Sequence, residues 1–291
     1  MNRQTAQMLN KMNAAFYARV AQSFSDTRQT RWPGWEQLVR VLGEQGLVDA
    51  LGTAGGAAGL TPEQGEAPST HLEALHVCDI ACGNLRFEHF LLDALPQTTF
   101  DFTALDNCAA LPHCGFFTSI ASCLRARIHF TQTDLVSALL NQHELPCARN
   151  TAQLCTAFGF MHHVPGFDAR TQLLREMCRI TAGGGVFAVS LWRFMDEPHL
   201  AQKAHASQSA ALPVLHEALG ENEVSLDEND YLLGWQDATG VFRYCHHFAD
   251  EEITRLIEWA TVQLPVSLVA RYDADGRTGA LNTYLVFRKA Q

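Results

Sequence analysis

Apolar residues recur along the chain at two different periods. Leu9, Met12, Phe16, Val20 and Phe24 return every three or four residues, which predicts a helix over 4–24 with one apolar stripe. Ser25-Asp26-Thr27 should stop it, and Trp32-Pro33-Gly34 marks a turn. Trp35, Leu38, Val39 and Leu42 then share one face of a second helix. From Leu75 the pattern changes to short apolar runs. Strands are predicted at Leu75–Cys78, Phe100–Leu105, Arg127–Phe130, Leu154–Phe158 and Val186–Leu191. Helical spacing falls between them at Phe87–Leu92 and Asp168–Ile180, and Gly183-Gly184-Gly185 is expected to end the second of these helices. Two closing strands, Ser267–Tyr272 and Asn282–Phe287, flank Asp273-Ala-Asp-Gly276 as a hairpin. Strands alternating with helices imply an α/β fold with a mainly parallel sheet covered on both faces.

This pattern divides the chain into an N-terminal helical cap (1–50), a glycine- and proline-rich flexible connection (51–74) and a main domain (75–291). Residues 196–248 break the rhythm and read as a lid-like insertion, with a solvated acidic tract from Glu221 to Asp230. At 291 residues and 47% apolar composition the chain can bury a sizeable core. Its net charge of −10 argues against a broad basic face for nucleic acid, although Arg19, Arg28 and Arg31 cluster near the N-terminus. The nine cysteines include no Cys-x-x-Cys pair, so no metal centre is expected; Cys108, His113 and Cys114 lack a matching second pair and read as buried thiols. Reduced thiols, no signal-peptide pattern and no long apolar run lead to the expectation of a cytoplasmic protein without a membrane segment.

The chemistry concentrates at strand ends. Asp79-Ile-Ala-Cys-Gly83-Asn84-Leu-Arg86 follows the first strand and opens a helix, an arrangement that brings backbone close to a nucleotide. Asp106 ends the second strand about 20 residues beyond Gly83, where a carboxylate can accept from ribose hydroxyls. Asp134 follows the third strand with Leu135 beside it, an acid and an apolar wall suited to an adenine. A dehydrogenase would use a similar layout, but Leu85 stands where its glycine pattern needs a small residue.

Asp-x-x-Cys-Gly-Asn-x-Arg resembles motif I of the class I methyltransferases, and Ile180-Thr-Ala-Gly-Gly-Gly-Val resembles their segment after the helix that precedes the fifth strand. The resemblance implies a Rossmann-like, doubly wound, seven-stranded, mostly parallel sheet with an antiparallel terminal hairpin. It also implies S-adenosyl-L-methionine as cofactor, held by Asp79, Ala81, Gly83, Asn84, Arg86, Asp106, Asn107, Asp134, Leu135 and Phe158. Three further segments, Phe16–Arg28 leading into Arg31-Trp-Pro33, Phe158–Pro165, and Asp230–Trp235 leading to Phe242–Phe248, resemble the wobble-uridine tRNA methyltransferases, the family of yeast Trm-nine and human AlkB homologue eight. That family implies O-methylation of a carboxylate on a carboxymethylated tRNA uridine, with a small activating protein subunit in some members.

A carboxylate acceptor is already ionised at neutral pH, so positioning matters more than a strong base. Arg28 and Arg243 are the expected carboxylate clamp, because guanidinium matches carboxylate bidentately. His162 is expected to orient the acceptor or act as a weak base from its place after the fourth strand. Tyr17, Trp32, His163, Tyr244 and His246 complete the expected acceptor pocket. The alternatives are a small-molecule O- or N-methyltransferase and a catalytically silent partner subunit of methyltransferase shape.

Overall fold

The computed structural model describes residues 1–48, 74–220, 223–235 and 238–291. The connection predicted at 51–74 lies almost wholly outside them, as do parts of the acidic tract. The strands are β1 (Leu75–Ile80), β2 (Phe100–Asp106), β3 (Ala126–Gln132), β4 (Ala152–Ala157), β5 (Thr181–Trp192), β6 (Asp230–Trp235), β7 (Ala238–His246), β8 (Val266–Ala274) and β9 (Asn282–Lys289). The helices are α1 (Arg3–Asp26), α2 (Pro33–Glu44), α3 (Arg86–Ala94), α4 (Ala110–His113), α5 (Phe117–Ala121), α6 (Leu135–Leu140), α7 (Phe167–Ile180), α8 (Pro198–Leu219) and α9 (Asp250–Gln263).

Seven strands form one sheet in the order β3-β2-β1-β4-β5-β9-β8. The first five run parallel, and β9 is antiparallel to both neighbours. Alternate residues of the central strands face opposite layers, as the two-residue period of a strand requires. Cys78, Ile80, Cys155, Phe187 and Val189 pack with Leu173, Met177, Ile253 and Leu256 of α7 and α9. Val77, Phe102, Leu154, Val186 and Tyr284 pack with Trp35, Leu38, Phe87 and Leu91 of α2 and α3. Gln153, next to Leu154, uses its side-chain oxygen to accept the His76 N–H at 2.8 Å, which fastens β4 to β1.

The predicted helix end at Gly183-Gly184-Gly185 is wrong in position. α7 stops at Ile180, and Thr181 is already extended. The glycines lie inside β5, where Thr181 pairs with Ala152 but Val186 pairs with Leu154, so the surplus residues bulge out. Gly184 sits at φ +73° within that bulge, a conformation glycine adopts without a Cβ penalty. Cys108 and Cys114, expected to be buried, are half-buried.

The insertion folds as α8 and the β6–β7 hairpin, and it packs on α1 rather than on the sheet. Leu9 joins Ala211, Leu215, Leu232 and Tyr244 in one small core, and Phe16 and Val20 join Val241 in another. The hairpin is tied to the main domain by a buried polar network. Arg170 of α7 ion-pairs with Glu252 and donates to the Tyr244 hydroxyl at 3.2 Å. Asp230 accepts from that hydroxyl at 2.8 Å, and the two His246 ring nitrogens lie 2.7 Å from Asp230 and from Glu252. Removing one partner of such a network strands buried charge. Arg170→Leu is therefore expected to lower unfolding stability by about 3–5 kcal/mol in a urea titration; a loss below about 1 kcal/mol would show that the network does not hold the hairpin.

Candidate active site

The sheet reverses its strand order between β1 and β4, and a crevice opens at the carboxyl ends of these strands. α1 and β7 wall it in as a cavity of roughly 870 Å³. The chain leaves β1 through a tight turn in which Ala81 (φ 63°), Gly83 (φ 56°) and Leu85 (φ 63°) are all left-handed. Left-handed φ at the two residues that carry a Cβ costs roughly 1–3 kcal/mol each, so the surroundings must hold the turn. Leu85 does so by burying its side chain completely among Phe87, Leu91 and Ile120, away from the cavity. Asp106 accepts the N–H groups of Gly83 at 2.9 Å and Cys108 at 2.8 Å, which ties the turn to β2. Asn84 donates to the Arg28 carbonyl at 2.9 Å, and Arg86 donates to the Thr30 carbonyl at 2.8 Å while stacking over Trp32 and Trp35. Both line the cavity, but these bonds commit their polar ends to the α1–α2 connection.

The end of the cavity at the turn after β1 is acidic. Asp79 is buried, and its carboxylate accepts from the Thr156 hydroxyl. Burial pushes the Asp79 carboxyl up to about 7 and that of Asp106 up to about 6. Glu88 lies beside Asp79 on α3 with no exposed surface, and neither of its carboxyl oxygens has a hydrogen-bond partner. Burial first, then the charge of Asp79, raises it well above the usual carboxylate range. No arginine or lysine pairs with any of the three among the described residues. Asn107, Asp134, Leu135 and Phe158 complete this end. Asp134 caps α6 by accepting the Ser137 N–H, and both its oxygens also face the Asn10 side-chain amide.

The opposite end is cationic and aromatic. Arg243 is only 7% exposed, yet no carboxylate pairs with it among the described residues. Its guanidinium lies over Phe16, Trp192 and Trp235. Arg28 lies over Phe24 and the same Trp235 ring, and the nearby Arg243 charge adds to burial in lowering its pKa. A hydrogen-bond chain positions Arg243. His163 Nδ1 lies 2.7 Å from the Tyr244 carbonyl and so carries the proton that it donates. His163 Nε2 then accepts the Tyr17 hydroxyl at 2.8 Å, and that hydroxyl accepts from Arg243 Nη1 at 3.2 Å. Burial, followed by the Arg243 charge, holds His163 down at about 3, while burial and then His163 depress His162 strongly. Both imidazoles are therefore neutral at physiological pH. The ligand atoms of His162, His163 and Cys245 lie within 4.8 Å of one another. Both His163 nitrogens are already bonded, however, and a fixed cation adjoins the group, which opposes metal binding.

All the predicted cofactor residues line the cavity, as do Tyr17, Arg28, Trp32, His162, His163 and Arg243. Tyr244 and His246 do not. Their common face points at Arg170, Asp230 and Glu252, and both serve the buried network described above. On the other face of the same strand, Arg243 lines the cavity and Cys245 turns its Sγ towards His163. Sequence reasoning missed Asn10, Asn13, Glu88 and Trp192. Asn10 and Asn13 interrupt the buried face of α1 with amides, and Glu88 interrupts the buried face of α3 with a carboxyl; these are the signals that were available.

No protein-family model matches the chain, and no curated protein matches it in sequence. Solved structures match its fold. A SAM-dependent methyltransferase from Methanosarcina mazei superposes with a TM-score of 0.53 at 14% identity, covering 75% of this chain and 93% of that one. The complex of DhpI with SAM and HEP superposes with a TM-score of 0.54 at 14% identity, covering 99% of this chain and 100% of that one. The fold is that of the class I methyltransferases, with the antiparallel pair at the sheet edge. Nothing in these matches singles out the wobble-uridine tRNA family.

Among the described residues, the Tyr17 hydroxyl links Arg243 to His163. Tyr17→Phe leaves a guanidinium N–H and an imidazole lone pair without partners, and is expected to cost about 1–3 kcal/mol of stability by urea titration. A change within about 0.5 kcal/mol would place that chain outside the fold's energetics.

Proposed function

We propose that the protein is an S-adenosylmethionine-dependent methyltransferase that O-methylates a small carboxylic acid. The observation that carries this reading is the charge pattern of one cavity: among the described residues Asp79 and Asp106 line it without cations at one end, with Glu88 buried beside Asp79, and Arg28 and Arg243 line it without anions at the other. A dinucleotide would bring its pyrophosphate to the acidic turn, where like charge opposes it. A ligand with a sulfonium and an α-ammonium group suits that turn. When bound, such a cofactor supplies a methyl whose C–S bond breaks as the acceptor's C–O bond forms. The protein's own groups do the rest. Asp106 and Asp134 face the ribose and adenine sides, and Phe158 walls the turn. Arg28 and Arg243 seat and orient the acceptor's carboxylate. Their aromatic surround keeps water away, which strengthens charge pairing. His162 and His163 stay neutral and take no proton, because a carboxylate has none to lose.

The burial of Arg243 on β7, 7% exposed with its guanidinium against Phe16 of α1, favours a small acid over a carboxymethyl group carried on tRNA. Leu85 fills the core and Gln153 locks β4 to β1, so neither position argues for a catalytically silent subunit. Comparative mass spectrometry of metabolites and tRNA nucleosides, with and without the gene, tests the acceptor. A missing metabolite methyl ester is expected, a missing tRNA methyl ester would transfer the reading to tRNA, and no missing methylated species would remove the enzymatic reading. Label moved from the cofactor should be released by mild base; base-stable label would mean an N-methyl or ether product instead.

Two further outcomes are expected. Arg243→Met should lower kcat/KM for the acid by about 10²-fold or more, since a desolvated charge partner is lost, while S-adenosylhomocysteine affinity stays within about threefold. The second concerns pH. A cationic ligand favours the ionised carboxylates, so binding releases protons wherever Asp79 and Asp106 are protonated in the free protein. Affinity for S-adenosylmethionine, whose sulfonium makes it a net cation, should be full above the Asp79 value of about 7 and fall as pH drops through 7 and then 6. The slope should approach a tenfold loss per pH unit for each proton released. Calorimetric titration across this range checks it, and a flat profile would remove the carboxylates from cofactor binding.

A further inference from the structure

The bond between Asn10 and Asp134 joins a helix of the cap to the strand-end acid of the cofactor site. Asn10 lies on the buried face of α1, where an amide is out of place among Leu9, Phe16 and Val20. Its Nδ2 donates to Asp134 Oδ1 at 2.9 Å and lies 3.1 Å from Oδ2. Its side-chain oxygen has no protein donor among the described residues, and it is not sealed away, since Asn10 lines the cavity and is absent from the buried unpartnered atoms. The carboxylate of Asp134, whose Oδ1 also accepts the Ser137 N–H, keeps lone pairs to spare. The wall at this point therefore presents two adjacent acceptors, one charged and one neutral, with Leu135 beside them.

Two neighbouring acceptors above an apolar wall match an exocyclic amino group, which has two N–H donors. We infer that Asn10 reads the adenine amino group of the cofactor together with Asp134, so that α1, and not the sheet alone, sets selectivity for an adenine base. This rests on the cofactor reading above. A base with a carbonyl in place of the amino group would set an oxygen against both acceptors. Alone, Asp134 would still discriminate; with Asn10 the penalty has two parts, because a second buried acceptor is left facing an acceptor. The plain alternative is that Asn10 only staples α1 to α6. A staple holds any bound base equally, so the two roles separate in a ratio and not in an affinity.

The test compares S-adenosylhomocysteine with S-inosylhomocysteine by calorimetric titration of the full chain. The wild-type protein is expected to prefer the adenosyl ligand by about 30-fold or more, as sites built to pair a polar group reject analogues that cannot. Asn10→Ala and Asn10→Leu, the second a good helix former of similar size, are expected to reduce that ratio about five- to tenfold. A ratio unchanged in the variants, with both affinities lowered alike, would overturn the inference and leave Asn10 a staple. Equal wild-type affinity for the two ligands would overturn it without any variant. No wild-type binding of either ligand would instead sink the cofactor reading itself.

Discussion

The reversal of strand order between β1 and β4 is the constraint on which the site depends. Each strand is hydrogen-bonded on both sides and covered on both faces, so their carboxyl ends are fixed relative to one another. The connections from these ends depart to opposite faces and leave a gap that no side chain of the sheet fills. The turn after β1 can hold two non-glycine residues at positive φ because Leu85 is anchored in the core and Asp106 grips the Gly83 amide. Strain at the turn is thus held by packing on one side and hydrogen bonding on the other.

Charge is distributed in this gap in a way that folding alone does not favour. Among the described residues, three carboxyls are buried without cations at one end and two guanidiniums lack anions at the other, although both sets line or adjoin one cavity. The protein lowers the cost by keeping the acids partly protonated and by laying the guanidiniums over aromatic faces. Both devices are reversible when a ligand of opposite charge arrives. A structural network looks different: around His246 the charged groups Arg170, Asp230 and Glu252 have partners, and none of them lines this cavity.

α1 unites the two ends. It meets Asp134 through Asn10 and the backbone of Tyr244 through Asn13, and carries Tyr17 and, just past its end, Arg28 into the cationic half. Asn10, Asn13 and Tyr17 follow one another at helical spacing on a single face, so one rigid element addresses both halves. β7 completes the enclosure by alternation: Arg243 and Cys245 face inward, Tyr244 and His246 face the network that anchors the hairpin.

The sequence by itself determined the sheet, the helices that cover it and the residues at the strand ends. Those depend on local period and on turns, and Asp79, Gly83, Asp106 and Asp134 each sit next to a strand whose end is legible. The glycine run after α7 misled, because positive φ serves a bulge as well as a helix end and the choice lies with the partner strand. Arg28 and Arg243 were legible as chemistry, but their lack of partners was not. Tyr244 and His246 show the limit most plainly. Alternation placed them on one face of a strand, while only tertiary packing decided which face met the cavity. That choice was made by Arg170, Asp230 and Glu252, three charges on separate elements whose burial requires that they be paired.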